Sequence, residues 1–131
     1  MKIKTYSRKE FLSYIDDNSI DDSTVDANTD YFISILSSGG DKGEPIFKTL
    51  HSNVLSIAFD DVEHDEVKWG DDIQQFYHAR AITVEQAQEI FKFIQKLPND
   101  AVVHIHCVYG FCRSGAIAKF LEDFYNSDVI P

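Results

Sequence analysis

A chain of 131 residues has room for one domain and little more. Apolar residues make up 44% and aromatic ones 13%, enough for a real core, while 22 acidic residues stand against 12 basic ones for a net charge of −10. That balance argues against non-specific charge binding to nucleic acid or anionic membrane, and no apolar run approaches the ~20 residues of a membrane span. The N-terminal residues carry charges where a signal peptide has its apolar segment, and two cysteines, Cys107 and Cys112, are too few for a disulfide-stapled secreted fold. The expectation is a cytoplasmic single domain over residues 1–131, with no membrane or nucleic-acid partner expected and an oligomeric state the sequence leaves open. The acid is uneven: residues 1–72 carry 16 acidic and 7 basic side chains, residues 73–131 only 6 and 5. Most of that charge reads as a solvated surface.

In chain order, Lys2–Tyr6 alternates like an edge strand. Ser7 and Glu10 form a capping-box pattern before a short helix with Phe11, Leu12 and Ile15 as its apolar face. Asp16 to Asp30 reads as a polar loop. Tyr31–Leu36 is a near-continuous apolar run, the pattern of a strand covered on both faces. Gly39 to Glu44 reads as a turn region and Pro45 to His51 as a helical turn. Asn53–Phe59 is a second buried-type strand that stops at Asp60-Asp61. Val62 to Asp72 reads as an exposed acidic loop. Thr83, with Gln86, caps a helix whose face is Val84, Ala87, Ile90, Phe91 and Ile94, ended by Leu97-Pro98-Asn99-Asp100. Ala101–His106 is a third strand, and Ser114 to Phe124 a last helix facing inward with Ile117, Phe120, Leu121 and Phe124. Strands alternating with helices predict an α/β fold with a mixed, largely parallel central sheet flanked by helices.

Between that last strand and helix lies Cys107-Val108-Tyr109-Gly110-Phe111-Cys112-Arg113-Ser114. A strand–loop–helix connection aims its backbone N–H groups at one spot, and the helix N-terminus adds roughly half a positive charge there. Such a loop holds an oxyanion of phosphate size. Gly110 permits the tight turn. Arg113 is placed to grip two anion oxygens with parallel hydrogen bonds. A cysteine in the same field is stabilised as a thiolate, a nucleophile aimed at phosphorus. Ser114 can donate a hydrogen bond to the sulfur and ease its departure.

With His106 before it, this segment resembles the signature of the cysteine-dependent protein tyrosine and dual-specificity phosphatases, His-Cys-x2-Gly-x2-Arg-Ser/Thr, matched at His106, Cys107, Gly110, Arg113 and Ser114. The wider pattern over residues ~31–125 is similar to small bacterial or phage tyrosine phosphatases. The resemblance implies a phosphotyrosine-phosphatase-like fold of the dual-specificity type. It makes Cys107 the residue that forms a phosphocysteine intermediate, with Arg113 holding the phosphoryl oxygens. The loop from Val108 through Tyr109, Gly110, Phe111 and Cys112 to Arg113 and Ser114 would be the substrate cradle. His106 would orient the loop and tune the thiol, although a histidine at a strand end is also a common hydrogen-bonded core residue. The chain departs from the family at Tyr109, often Ala, and at Phe111, often small or polar; both rings shape access to the site. Neither is Lys, which weakens a phosphoinositide reading. Relatives continue with further helices beyond the loop helix, so this chain reads as a minimal version or a shortened piece.

The cysteine spacing also occurs in low-molecular-weight tyrosine phosphatases, but these carry the loop at the N-terminus, and the chain order here is different. The spacing permits a trap in which Cys112 captures an oxidised Cys107 as a disulfide, but the plainer reading of Cys112 as a small core residue is favoured.

The family takes its general acid from an Asp after an upstream strand. Asp61 is favoured because Leu55–Phe59 leads straight to it, with Asp60 as close second. It lies 46 residues before Cys107, longer than is usual; Asp71, in Trp69-Gly70-Asp71, lies 36 before and echoes the acid loop of the larger enzymes. His51, His64, His78 and His104 lack ligand spacing, and the implied reaction needs no metal or cofactor. The expected activity is hydrolysis of phosphomonoesters on a phosphotyrosine-containing protein or peptide. The alternatives are an RNA 5′-phosphatase or triphosphatase, disfavoured by the acidic surface, and a phosphotyrosine-binding pseudophosphatase.

Overall fold

The structure is a computed structural model that describes residues 1–36, 45–59, 82–107, 112–125 and 128–130. It contains β1 (Lys2–Ser7), α1 (Arg8–Asp17), a 3-10 turn at Val25–Ala27, β2 (Tyr31–Leu36) and β3 (Val54–Ala58). These are followed by α2 (Val84–Gln95), β4 (Val102–Cys107), α3 (Cys112–Tyr125) and β5 (Asp128–Ile130). The strands form one sheet in the order β3-β2-β4-β1-β5. The architecture is α/β, as expected, but every strand pairing among the described residues is parallel rather than mixed. Parallel strands need long crossovers, and helices supply three of them, each passing over one intervening strand of the sheet.

β4 is paired on both edges, with Ile3 opposite Val103 in β1 and Ile33 opposite Ile105 in β2. Its side chains divide by alternation. Val103, Ile105 and Cys107 face the apolar cluster built with α2 and α3, where Ile94 and Leu121 are fully buried. On the opposite face α1 brings Phe11 and Ile15 against Phe32, Phe47 and Val25. α1 begins where the sequence places it: Ser7 Oγ accepts from the Glu10 amide at 3.1 Å, and the Glu10 carboxylate accepts from the Ser7 amide at 2.9 Å. Thr83 and Gln86 cap α2 in the same way.

Several local expectations give way to tertiary context. β1 is not an edge strand, because the three residues of β5 pair alongside it. Pro45–His51 forms no helical turn. α3 opens at Cys112, two residues before Ser114. Leu12, Val84, Phe91 and Phe120 are exposed, Ala87 likewise, and Phe93 takes the buried place on α2. The apolar stripes continue around the helices beyond the strip the sheet covers. The Phe124 side chain lies outside the described residues.

The loop before β3 is pinned by charge. His51 Nε2 contacts Asp22 Oδ1 at 2.8 Å and His51 Nδ1 contacts Asp26 Oδ1 at 2.8 Å. The Asp22 hydrogen bond, then Asp26, raises the His51 pKa, and His51 with the Lys48 and Thr49 amides lowers that of Asp22. No helix among the described residues is long and apolar enough to cross a membrane.

Ile105→Ala, in the fully buried centre of β4, is expected to cost about 2–5 kcal/mol in urea unfolding. Leu50→Ser, at a fully exposed side chain, is expected to stay within about 0.5 kcal/mol of the parent.

Candidate active site

The C-terminal ends of the strands form one rim of the sheet. β2 and β4 are neighbours, yet the chain leaves β2 toward β3 at one side and leaves β4 toward β5 at the other. Such a reversal opens a crevice beyond the strand ends, where α/β proteins place ligands. Cys107 is the last residue of β4 and pairs in register with Ser7, the cap of α1. Two helices, α1 and α3, therefore begin at this rim.

Cys107 is a buried cysteine. Its Sγ lies 3.3 Å from Ser114 Oγ in the first turn of α3. The thiol donates to the hydroxyl oxygen; once ionised, the sulfur accepts from the hydroxyl instead. Ser114 is fully buried, so this contact is made away from bulk water. Arg113 is also buried, and its Nη1 donates to the Phe59 carbonyl at 2.7 Å. That bond fastens the guanidinium of α3 to the chain just beyond β3, one residue before Asp60.

The site residues named from sequence thus divide. Cys107 and Ser114 are brought into contact, and Arg113 is drawn to the end of the β3 strand. Val108, Tyr109, Gly110 and Phe111, and the acid candidates Asp60, Asp61 and Asp71, lie outside the described residues. Cys112 opens α3, and its side chain also lies outside them.

Comparison with family models, with curated proteins and with solved structures found no match to this chain.

Behind the thiol, on the other face of β4, stand two histidines. His106 is fully buried, stacks on Phe11 at 4.6 Å, and has its Nε2 2.5 Å from Ser34 Oγ on β2. Burial is the main cause that pushes its pKa down to about 3; Arg8 and Arg113 add to the fall and the Cys107 backbone opposes it. His104 is held differently. Its Nε2 is 2.8 Å from Asp30 Oδ2 and its Nδ1 2.9 Å from the Tyr6 hydroxyl. A carboxylate only accepts, so Nε2 donates to Asp30 and Nδ1 accepts from Tyr6. Burial lowers the His104 pKa against the pull of Asp30, and it pushes the Tyr6 phenol up to about 12, with Tyr14 and Asp30 adding to the effect. Both histidines are neutral structural groups at neutral pH. Among the described residues no group of three or more His, Cys, Asp or Glu side chains is placed to hold a metal ion.

Three participants escaped the sequence reading. Ser34 sat in an apolar run, where a small polar residue reads as filler. The Phe59 carbonyl is backbone and carries no sequence signal. Arg8 read only as part of a charged N-terminus, yet its charge acts on His106.

A buried neutral histidine must take up a proton on unfolding in acid. The unfolded chain binds that proton below about pH 6.5, the folded chain only near 3, so stability is lost as pH falls through that window. The limiting slope is about 1.4 kcal/mol per pH unit for each such group. Urea unfolding of the parent between pH 6.5 and 4 is expected to lose stability steadily, and His106→Gln to flatten the dependence. An equal slope in both proteins places the titration elsewhere.

Proposed function

We propose that the chain is a cysteine-dependent phosphatase of the dual-specificity type with a phosphotyrosine-phosphatase-like fold, hydrolysing phosphotyrosine and related phosphomonoesters of protein or peptide substrates in the cytoplasm. The observation that carries the reading is the 3.3 Å contact between Cys107 Sγ, at the end of a central parallel strand, and Ser114 Oγ, in the first turn of the following helix. A thiol, a hydroxyl and a helix N-terminus converge there, and the reaction needs each of them.

In the first step the Cys107 thiolate attacks phosphorus, an S–P bond forms and the P–O bond to the leaving group breaks. The departing oxygen takes a proton from the general acid. Arg113 and the loop amides hold the three phosphoryl oxygens as charge spreads over them. In the second step the acid, now a carboxylate, takes a proton from the water that attacks phosphorus, the S–P bond breaks with its electron pair returning to sulfur, and Ser114 donates a hydrogen bond to that sulfur. Inorganic phosphate leaves. No cofactor enters the balance.

Arg113 bound to the Phe59 carbonyl favours the Asp60-Asp61 pair over Asp71 as the source of the acid, with Asp61 kept as the expected residue of the pair. Asp61 is two residues beyond Phe59 in the chain, and Asp71 is twelve. The net charge of −10 speaks against an RNA substrate, and recognition falls to Arg113 and the loop rather than to a broad positive surface.

Hydrolysis of an activated aryl phosphate by the parent, Cys107→Ser and Asp61→Asn tests the reading. Cys107→Ser is expected to lose at least roughly a thousandfold in kcat, and equal rates overturn the proposal. Asp61→Asn is expected to stay near parent activity on this leaving group, and to fall on phosphotyrosine peptide with loss of the basic limb of its pH profile.

A further inference from the structure

The end of β3 is held from both sides, and one of its holders lies on α2. The peptide group between Ala58 and Phe59 has both polar atoms engaged: its N–H donates to the Leu36 carbonyl of β2 at 3.0 Å, and its carbonyl accepts from Gln86 Nε2 at 2.5 Å. The next carbonyl, that of Phe59, takes Arg113 Nη1 at 2.7 Å. Phe59 is buried in the apolar cluster that also holds Ile90 of α2 and Ile117 of α3. Gln86 is the third residue of α2 and half-buried. Its Oε1 accepts from the Thr83 amide at 3.0 Å, and its own amide donates to Thr83 Oγ1 at 3.1 Å.

A capping box needs only an acceptor at this position, and a glutamate serves it as well as a glutamine. The bond to Ala58 removes that choice. A carboxylate only accepts, so a glutamate would set a second acceptor against the Ala58 carbonyl, whereas the amide supplies a donor. A peptide group is planar, and one held at both its N–H and its carbonyl keeps a single orientation. With the Phe59 ring packed in the core as well, the carbonyl that follows points one way. A planar guanidinium bound to that carbonyl takes its own direction from the same bond.

We propose, resting on the reading of Arg113 as the residue that grips the phosphoryl oxygens, that Gln86 is a positioning residue: its side-chain amide caps α2 with Oε1 and holds the Ala58 carbonyl with Nε2, so that the Phe59 carbonyl is presented to Arg113 and aims the guanidinium at the oxyanion. Gln86 never touches substrate. It acts through two backbone carbonyls, and the start of α2 is thereby tied to the start of α3.

Calorimetric titration with tungstate, a tetrahedral oxyanion, tests this without relying on turnover. Gln86→Met adds no charge and removes the donor; it is expected to bind tungstate about tenfold more weakly than the parent. The KM for an activated aryl phosphate is expected to rise as much, with kcat changed less. Gln86→Glu keeps the capping box and loses only the donor, so it decides the matter even if Gln86→Met does not fold. Measured in about 0.5 M sodium chloride to screen its new charge, it is expected to show the same weakening. Thr83→Ala keeps the backbone amide that holds Gln86 Oε1; it is expected to lower the unfolding midpoint and leave tungstate affinity at the parent value. Parent affinity in the Gln86 variants, or equal weakening in Thr83→Ala, overturns the role of Gln86 alone. The expected pattern of affinities without any hydrolysis of aryl phosphate overturns the phosphatase reading alone. A parent that binds no tungstate overturns both.

Discussion

Strand β4 is hydrogen-bonded along both edges and covered on both faces, and the rest of the structure depends on how its six residues are shared between those faces. Val103, Ile105 and Cys107 enter the apolar cluster beneath α2 and α3. His104 and His106 enter the aromatic layer beneath α1, against Phe32 and Phe11. Polar atoms this deep destabilise the fold unless paired. Three long-range bonds meet most of that demand, from Asp30, Tyr6 and Ser34, and each ties β4 to a different stretch of chain. The strand that ends in the thiol is therefore held rigidly, and a nucleophile on such a strand needs no ordering of its own at the moment of reaction.

Electrostatics follow from the same burial. The histidines nearest the thiol are neutral, so the positive charge at the rim comes from guanidinium groups and helix N-termini. Arg113 is buried and anchored on the Phe59 carbonyl, and a planar guanidinium fixed at one nitrogen has less freedom to lose when it binds an anion. The negative charge lies elsewhere. Most of the acid excess precedes residue 73, where Asp22 and Asp26 are engaged in holding His51.

The strands were legible because nearly continuous apolar runs of five or six residues have few other uses. β2 lies over Tyr31–Leu36 as read, and β4 is displaced by a single residue. Both capping boxes were legible because a cap is local chemistry. Helix faces were less so: Phe91 follows Ile90 in sequence, yet Ile90 is buried and Phe91 exposed, a difference set by tertiary packing. The interior place of β1 depended on β5, three residues at the far end of the chain. At the site, Cys107, Arg113 and Ser114 were readable from residue type and spacing. The bonds that brace them were not, since Ser34 and His106 are 72 residues apart and the Phe59 carbonyl and Arg113 are 54 apart.

The central claim is that Cys107 carries the phosphoryl group between two steps. The most direct measurement is rapid denaturant quenching during turnover of a phosphorus-32-labelled aryl phosphate, followed by peptide mapping near neutral pH. Label on the peptide that contains Cys107, absent from Cys107→Ser and increased in Ser114→Ala because loss of the hydroxyl slows departure of the sulfur, is the predicted result. Turnover with no label on the chain, or label on a residue other than Cys107, contradicts the account.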